Sequence, residues 1–310
     1  MTLVRGACRP AAPVADVWRG NNRRSDRVTA IDEMPGDVIG RVAAEGTRLE
    51  TPCGDGSMVW RVWGSGPPLI LLHGGYGSWT HGIRNVLFLA RRFTVIAPDL
   101  PGLGESATPP EPHTAEGLAR IIVDGLATIL PGGERFHLTG FSFGGVLGGH
   151  VAALLGEQVR GFTIVGSNGL GLPRQPTELE RQRPGGTAEE LLDIARHNLG
   201  VLMIADKGKI DDLAVYIQYM NAPRGRIRSR RFSRTDALIR ALPRVTAQLS
   251  GIWGGRDAGA YPYLDERKRV LNEIQPGLRF EVIPGAGHWV AYEAADRFNP
   301  ILAEIAGSDR

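Results

Sequence analysis

From about residue 47 onward, the apolar positions alternate between two spacings. Leu69-Ile70-Leu71-Leu72 and Phe93-Thr94-Val95-Ile96-Ala97 are short, nearly continuous apolar runs, as expected of strands covered on both faces. Arg135–Thr139, Gly161–Val165, Ala247–Trp253 and Leu278–Ile283 continue that series. Helical stretches lie between them: Trp79 to Arg91, Thr114 to Leu130, and the small, apolar Gly145–Gly156. In the second of these, apolar residues at 118, 121, 122, 126 and 129 share one face, and Pro131-Gly132-Gly133 stops the helix. A last helix is predicted from about Asp296, with Pro300 in its first turn or at a kink. Ahead of the series, Thr47–Thr51 and Ser57–Trp63 read as a hairpin around the turn Pro52–Gly56. Strand alternating with helix predicts an α/β fold, with a mostly parallel sheet covered by helices on both faces. Right-handed crossovers leave the strand-to-helix loops on one edge, where ligands of such sheets bind.

The rhythm breaks at Ser167. Residues 167–245 carry helical patterns but no convincing strand. Thr187-Ala188-Glu189-Glu190 is a capping-box signature ahead of Leu191–Ile204. Leu213, Tyr216, Ile217 and Met220 share a helix face, and Ser233–Asp236 can start a third helix. This insertion is expected to lie over the loop edge as a helical cap or lid, with the core formed by 41–166 and 246–310. Residues 1–33 are rich in Arg, Asn, Asp and Pro without sustained periodicity, and the first 40 residues are expected to form a disordered extension, with Met34 as an alternative start.

Composition narrows the class. The chain has 310 residues, 42% of them hydrophobic, with 36 Lys and Arg against 33 Asp and Glu, enough for one large domain plus an insertion. The net charge of +3 gives no nucleic-acid signal. No apolar run approaches the roughly 18 residues of a membrane span, and no leader-type stretch opens the chain. Cys8 and Cys53 make neither a disulfide framework nor a metal pattern. The expectation is a cytoplasmic protein that uses no metal or cofactor, binds no nucleic acid or membrane, and takes a small molecule; assembly into a homo-oligomer is left open.

Chemistry enters through Gly140-Phe141-Ser142-Phe143-Gly144, between a predicted strand and the small apolar helix. A Ser in a sharp strand-to-helix turn has its hydroxyl pushed out at the sheet end, and flanking glycines allow the turn. Asp257 and His288 each follow a later strand through a glycine-rich turn, so all three converge on one edge. A Ser hydroxyl needs a base to become a nucleophile. His288 suits that role because imidazole titrates near neutral pH, and Asp257 would hold its tautomer.

With these motifs, the chain resembles the α/β-hydrolase superfamily over roughly residues 47–306: His73-Gly74-Gly75, the run from Asp99 to Ser106, the Ser142 elbow, Trp253 to Asp257, and Gly287-His288. The resemblance implies a Ser142–His288–Asp257 triad and an oxyanion hole from the backbone N–H groups of Phe143 and Gly75. It implies structural roles for His73 and Asp99. Relatives that cleave epoxides or haloalkanes carry Asp at the elbow, where this chain has Ser142. Gly287-His288-Trp289, followed by Glu293, Asp296, Phe298 and Asn299, is similar to meta-cleavage-product hydrolases, which cut a C–C bond and hold a substrate carboxylate with an Arg. Gly74, Trp289, Arg224 and Arg226 are the candidate substrate-binding residues, the arginines belonging to the run Arg224, Arg226, Arg228, Arg230, Arg231, Arg234. The first expectation is a serine hydrolase of small carboxylic esters working through an acyl-enzyme. The alternative is cleavage of a 2-hydroxy-6-oxo-dienoate, and the third is a non-catalytic binder on the same fold.

Overall fold

The computed structural model describes residues 33–181 and 185–308; most of the predicted N-terminal extension, residues 1–32, lies outside them. The first element contradicts the rest of that expectation. Helix α1 covers Pro35–Ala44, so the extension cannot run to residue 40. Tertiary contact holds α1 in place: Val42 is buried, and its carbonyl accepts the Trp63 indole N–H at 2.8 Å.

The strands are β1 (Thr47–Cys53), β2 (Gly56–Trp63), β3 (Pro68–Leu72), β4 (Thr94–Pro98), β5 (Phe136–Phe141), β6 (Val159–Val165), β7 (Gln248–Gly254) and β8 (Arg279–Ile283). They form one eight-stranded sheet in the order β1-β2-β4-β3-β5-β6-β7-β8. Only the β1–β2 and β2–β4 pairings are antiparallel. The parallel register runs Ile70 beside Ile96 on one flank and beside Leu138 on the other. The apolar runs conceal a period of two. Ile70, Leu72, Ile96 and Leu138 pack into one buried cluster, while Leu69, Val95 and Ala97 pack into the other. Both faces are covered, so both sets are apolar.

One face is covered by α3 (Ala115–Ile129), through Leu118, Ile122 and Leu126, and by α4 (Phe143–Leu155), through Val146, Leu147 and Val151. The other is covered by α2 (Val86–Leu89), and by α10 (Val290–Glu293) and α11 (Ala295–Ser308) at the C-terminus. The predicted single helix from Trp79 to Arg91 is instead a 3-10 turn, Trp79–Gly82, and the short α2. The buried Asn85 between them donates to Ala291 O and Asn299 Oδ1, a tertiary demand that local periodicity does not carry.

Between β6 and β7, the described residues contain helices and loops and no strand: α5 (Ala188–Asn198), α6 (Asp212–Asn221), α7 (Arg230–Ser233) and α8 (Ala237–Ala241). The Thr187 capping box forms as expected, with Glu190 Oε2 accepting from Thr187 N–H at 2.8 Å. The helix then loosens into a π turn over Leu199–Met203. Helix α9 (Leu264–Ile274), after β7, was not anticipated. Its inner face carries Leu264, Arg267, Leu271 and Ile274, and the buried arginine interrupts the apolar stripe that would have marked it.

Leu138 has no exposed surface in a central strand. Leu138→Ala is expected to lower the unfolding free energy by about 3 kcal/mol, measured as a shift of the denaturant midpoint at constant m-value.

Candidate active site

All parallel strands end on one edge, and the loops that follow them build the site. Ser142 joins β5 to α4 with φ 52° and ψ −112°. A non-glycine residue there is strained by about 1–3 kcal/mol. The surroundings hold it in place: Ser142 N–H donates to Val165 O at 2.9 Å, and Ser167 Oγ donates to Ser142 O at 2.7 Å. A Cβ at Gly144 would lie 2.4 Å from Leu72 O, so only glycine lets α4 start this close to β3.

His288 and Asp257 arrive from the loops after β8 and β7. Ser142 Oγ lies 3.0 Å from His288 Nε2, and His288 Nδ1 lies 2.9 and 3.0 Å from the two Asp257 oxygens. An ionised carboxylate only accepts, so Nδ1 carries the proton and Nε2 accepts the Ser142 hydroxyl. Asp257 and His288 are buried, and Asp257 Oδ1 also accepts from Gly259 N–H at 2.7 Å. Behind that loop sits Arg267, a residue the sequence reading missed. Its guanidinium donates to Gly259 O at 2.8 Å, Tyr263 O at 2.8 Å, and the carbonyls of Ala260 and Pro173. It shapes the turn carrying Asp257 and brings a positive charge near it.

The N–H of Phe143 is in the first turn of α4, where no intrahelical acceptor exists and the helix dipole is positive. Gly75 lies on the facing loop; a Cβ there would fall 2.2 Å from Ser229 Oγ. Two buried histidines brace this loop. His73 Nδ1–H donates to Gly74 O at 2.7 Å while Nε2 accepts Leu100 N–H at 2.9 Å. His81 Nδ1 accepts Gly74 N–H at 3.2 Å. Burial lowers the His73 pKa to about 4. Burial, then the neighbouring His73 and His288, pushes His81 well below its ordinary value. Asp99 anchors the next loop by accepting Trp79 N–H and Glu105 N–H, each at 2.8 Å. Burial nevertheless raises its pKa to about 6.

A cavity of about 790 Å³ opens above Ser142, with Gly74, Gly75, Phe143 and His288 on its floor. Its upper wall comes from the β6–β7 segment, including Arg174, Arg181, Arg230 and Arg234. The candidate binding residues therefore divide. Gly74 lines the cavity; Arg224, Arg226 and Trp289 do not. Arg226 is drawn away to the carbonyls of Gly104 and Ser106. Trp289 is fully buried beneath the floor, its indole donating to His81 O at 2.8 Å. Arg230 and Arg234 come from the same run but one helical turn further on, where the chain faces inward. Arg174 was not anticipated; no local signal distinguishes it from a surface arginine. Burial lowers its pKa, helped by the charges of Arg234 and Arg230. Among the described residues, Arg174, Arg230 and Arg234 form no ion pair, although Glu178 and Glu180 line the same cavity.

A model of the alpha/beta hydrolase family matches residues 69–301. The chain belongs to that family. This hydrolase is 29% identical over 257 residues to a 2-hydroxy-6-oxononadienedioate/2-hydroxy-6-oxononatrienedioate hydrolase of Comamonas testosteroni, covering 78% of its own chain and 88% of that relative. It is also 29% identical over 261 residues to a 2-hydroxy-6-oxo-6-phenylhexa-2,4-dienoate hydrolase of Burkholderia cepacia, with the same 78% and 88% coverage. A solved meta-cleavage product hydrolase from Pseudomonas fluorescens superposes with a TM-score of 0.69 at 21% identity, over 86% of this hydrolase and all (100%) of that chain, a likeness of fold. No helix among the described residues is long and apolar enough to cross a membrane.

The buried groups set the acid stability of the hydrolase. His73, at about 4, and His81 are held neutral in the fold, so unfolding takes up their protons below about 6.5 and stability falls with pH. Asp99 works the other way: at about 6 in the fold it protonates before the unfolded chain does, which adds stability as pH falls from there toward 3.8. Two losses against one gain leave a net loss of stability as pH falls between roughly 6 and 4. Denaturant unfolding at stepped pH checks this, and Asp99→Asn is expected to steepen the loss.

Proposed function

We propose that this protein hydrolyses the C–C bond of a 2-hydroxy-6-oxo-dienoate, with Ser142 as nucleophile, His288 as general base and acid, and Asp257 orienting His288. The observation that carries the choice of substrate is the set of arginines facing Ser142's cavity that form no ion pair among the described residues: Arg174, Arg230 and Arg234. A neutral ester offers them nothing, whereas a dienoate carries a carboxylate. The names of the relatives support the same reading.

The chemistry follows from the geometry. Moving a proton from the 2-hydroxyl to C5 turns the dienoate into a vinylogous diketone with an electrophilic C6 carbonyl. Ser142 Oγ adds to C6 as His288 Nε2 takes its proton, across the 3.0 Å that separates them. The C6 oxyanion is met by the N–H groups of Phe143 and Gly75, each typically supplying about 3 kcal/mol of transition-state stabilisation. The C5–C6 bond then breaks, its electrons delocalising into the conjugated ketone, and His288 returns the proton to that fragment. Water, deprotonated by His288, releases the acid held on Ser142.

Ester hydrolysis needs the same serine addition, collapse and deacylation, with an alcohol leaving and without the opening proton shift, and is the other reading of the same triad. It was the first expectation because its motifs are shared; the cavity arginines and the relatives' names favour the C–C reading. Wild type is expected to turn over a 2-hydroxy-6-oxo-dienoate faster than a short p-nitrophenyl ester, and Ser142→Ala is expected to lose at least about 10³-fold on both. Arg234→Gln should raise KM for the dienoate about tenfold and leave the ester nearly unchanged. Rapid ester cleavage without dienoate cleavage would replace the C–C reading; full activity of Ser142→Ala would remove both.

A further inference from the structure

Glu293 does not line the cavity, yet its carboxylate sits where the loop carrying His288 meets the segment above it. It is 4% exposed, at the end of α10. Oε2 accepts Gly287 N–H at 2.7 Å and Ala205 N–H at 3.0 Å, and Oε1 accepts Asp206 N–H at 2.8 Å. Gly287 directly precedes His288, while Ala205 and Asp206 belong to the β6–β7 segment. One carboxylate thus ties the base's own loop to the wall of the cavity. Two more bonds run along the seam: Trp289 N–H donates to Met203 O at 2.7 Å, and Lys209 Nζ donates to Glu293 O at 3.2 Å. The approach is close enough to exclude any side chain at 287, where a Cβ would lie 2.6 Å from the Ala205 nitrogen.

We propose that Glu293 is a positioning residue for the reaction: it locks the His288 loop to residues 203–206, so that Nε2 is presented to Ser142 only while that segment is seated. The proposal rests on His288 acting as the base. Three physical points support it. Hydrogen bonds to a charged acceptor are roughly twice as strong as neutral ones, so this carboxylate dominates the seam. Proton transfer requires contact within about 2.6–3.2 Å, so a small shift of the loop is costly. Met203 lines the cavity, and its carbonyl is bonded to the residue after His288. A substrate packed against Met203 therefore bears on the same seam.

The test reads the base directly. A small fluorophosphonate phosphonylates an activated serine: the Oγ–P bond forms, fluoride leaves, and His288 takes the proton. Labelling rates, kcat and KM are compared for wild type, Glu293→Gln, Glu293→Ala and Tyr292→Phe. Thermal melts establish that each variant is folded, and Glu293→Gln, isosteric with the native residue, carries the comparison if Glu293→Ala does not fold. Glu293→Ala is expected to slow both labelling and kcat about 100-fold, with KM within about threefold. Glu293→Gln should fall in between, since one amide oxygen can serve only one of the two donor sets. Tyr292→Phe removes a hydroxyl bonded to Asp211 on the same seam while keeping the ring that stacks on Trp289, and should label within about twofold of wild type. Wild-type rates in both Glu293 variants, or equal slowing by Tyr292→Phe, overturn the proposal. A wild-type protein that does not label at all removes the base reading itself, and this proposal with it.

Discussion

Ser142 is held at a backbone angle that an L-residue resists, and everything around it serves that conformation. The turn exists because β5 ends against Val165 of β6, Ser167 Oγ bonds the Ser142 carbonyl, and Gly144 allows α4 to begin almost in contact with the β3 carbonyls. The strain aims the hydroxyl away from the sheet and places the first N–H groups of α4 beside it. Sheet order, glycine placement and helix start are thus one constraint seen from three sides.

The loops around this turn form a buried polar frame under a charged cavity. His73 and His81 stay neutral and exchange hydrogen bonds with Gly74 and the Asp99 loop, fixing the Gly75 side of the cavity floor. Because burial, not ionisation, governs them, they act as rigid spacers. Asp257 is the exception, a carboxylate set against His288 with Arg267 behind its turn. Above the floor the balance reverses, and arginines from separate parts of the β6–β7 segment face one space. Arginines outnumber carboxylates along that wall, where Glu178 and Glu180 also stand.

Much of the fold was legible in the chain because its strands are short apolar runs and its candidate site residues stand at their ends. Ser142, Asp257 and His288 could be ordered without coordinates, since a parallel sheet brings every such end to one edge. The elements that escaped notice were those whose stability is not local. Helix α1 packs one buried valine and a carbonyl beneath Trp63. Helix α9 buries an arginine where periodicity demands an apolar residue, and Asn85 splits an expected helix by bonding to the distant C-terminal region.

The sequence by itself determined the α/β alternation, the elbow at Ser142 and the order of its partners, because these depend on local spacing and on the handedness of crossovers. It could not determine which arginines face the cavity. Arg226 and Arg230 stand four positions apart in one basic run, yet the first is bonded to the Gly104 and Ser106 carbonyls and the second lines the site. Nor could it show that Trp289 lies beneath the floor, or that Glu293 joins the His288 loop to Ala205 and Asp206. Charge and type are properties of a residue; the direction in which a side chain points is decided by the packing of segments distant along the chain.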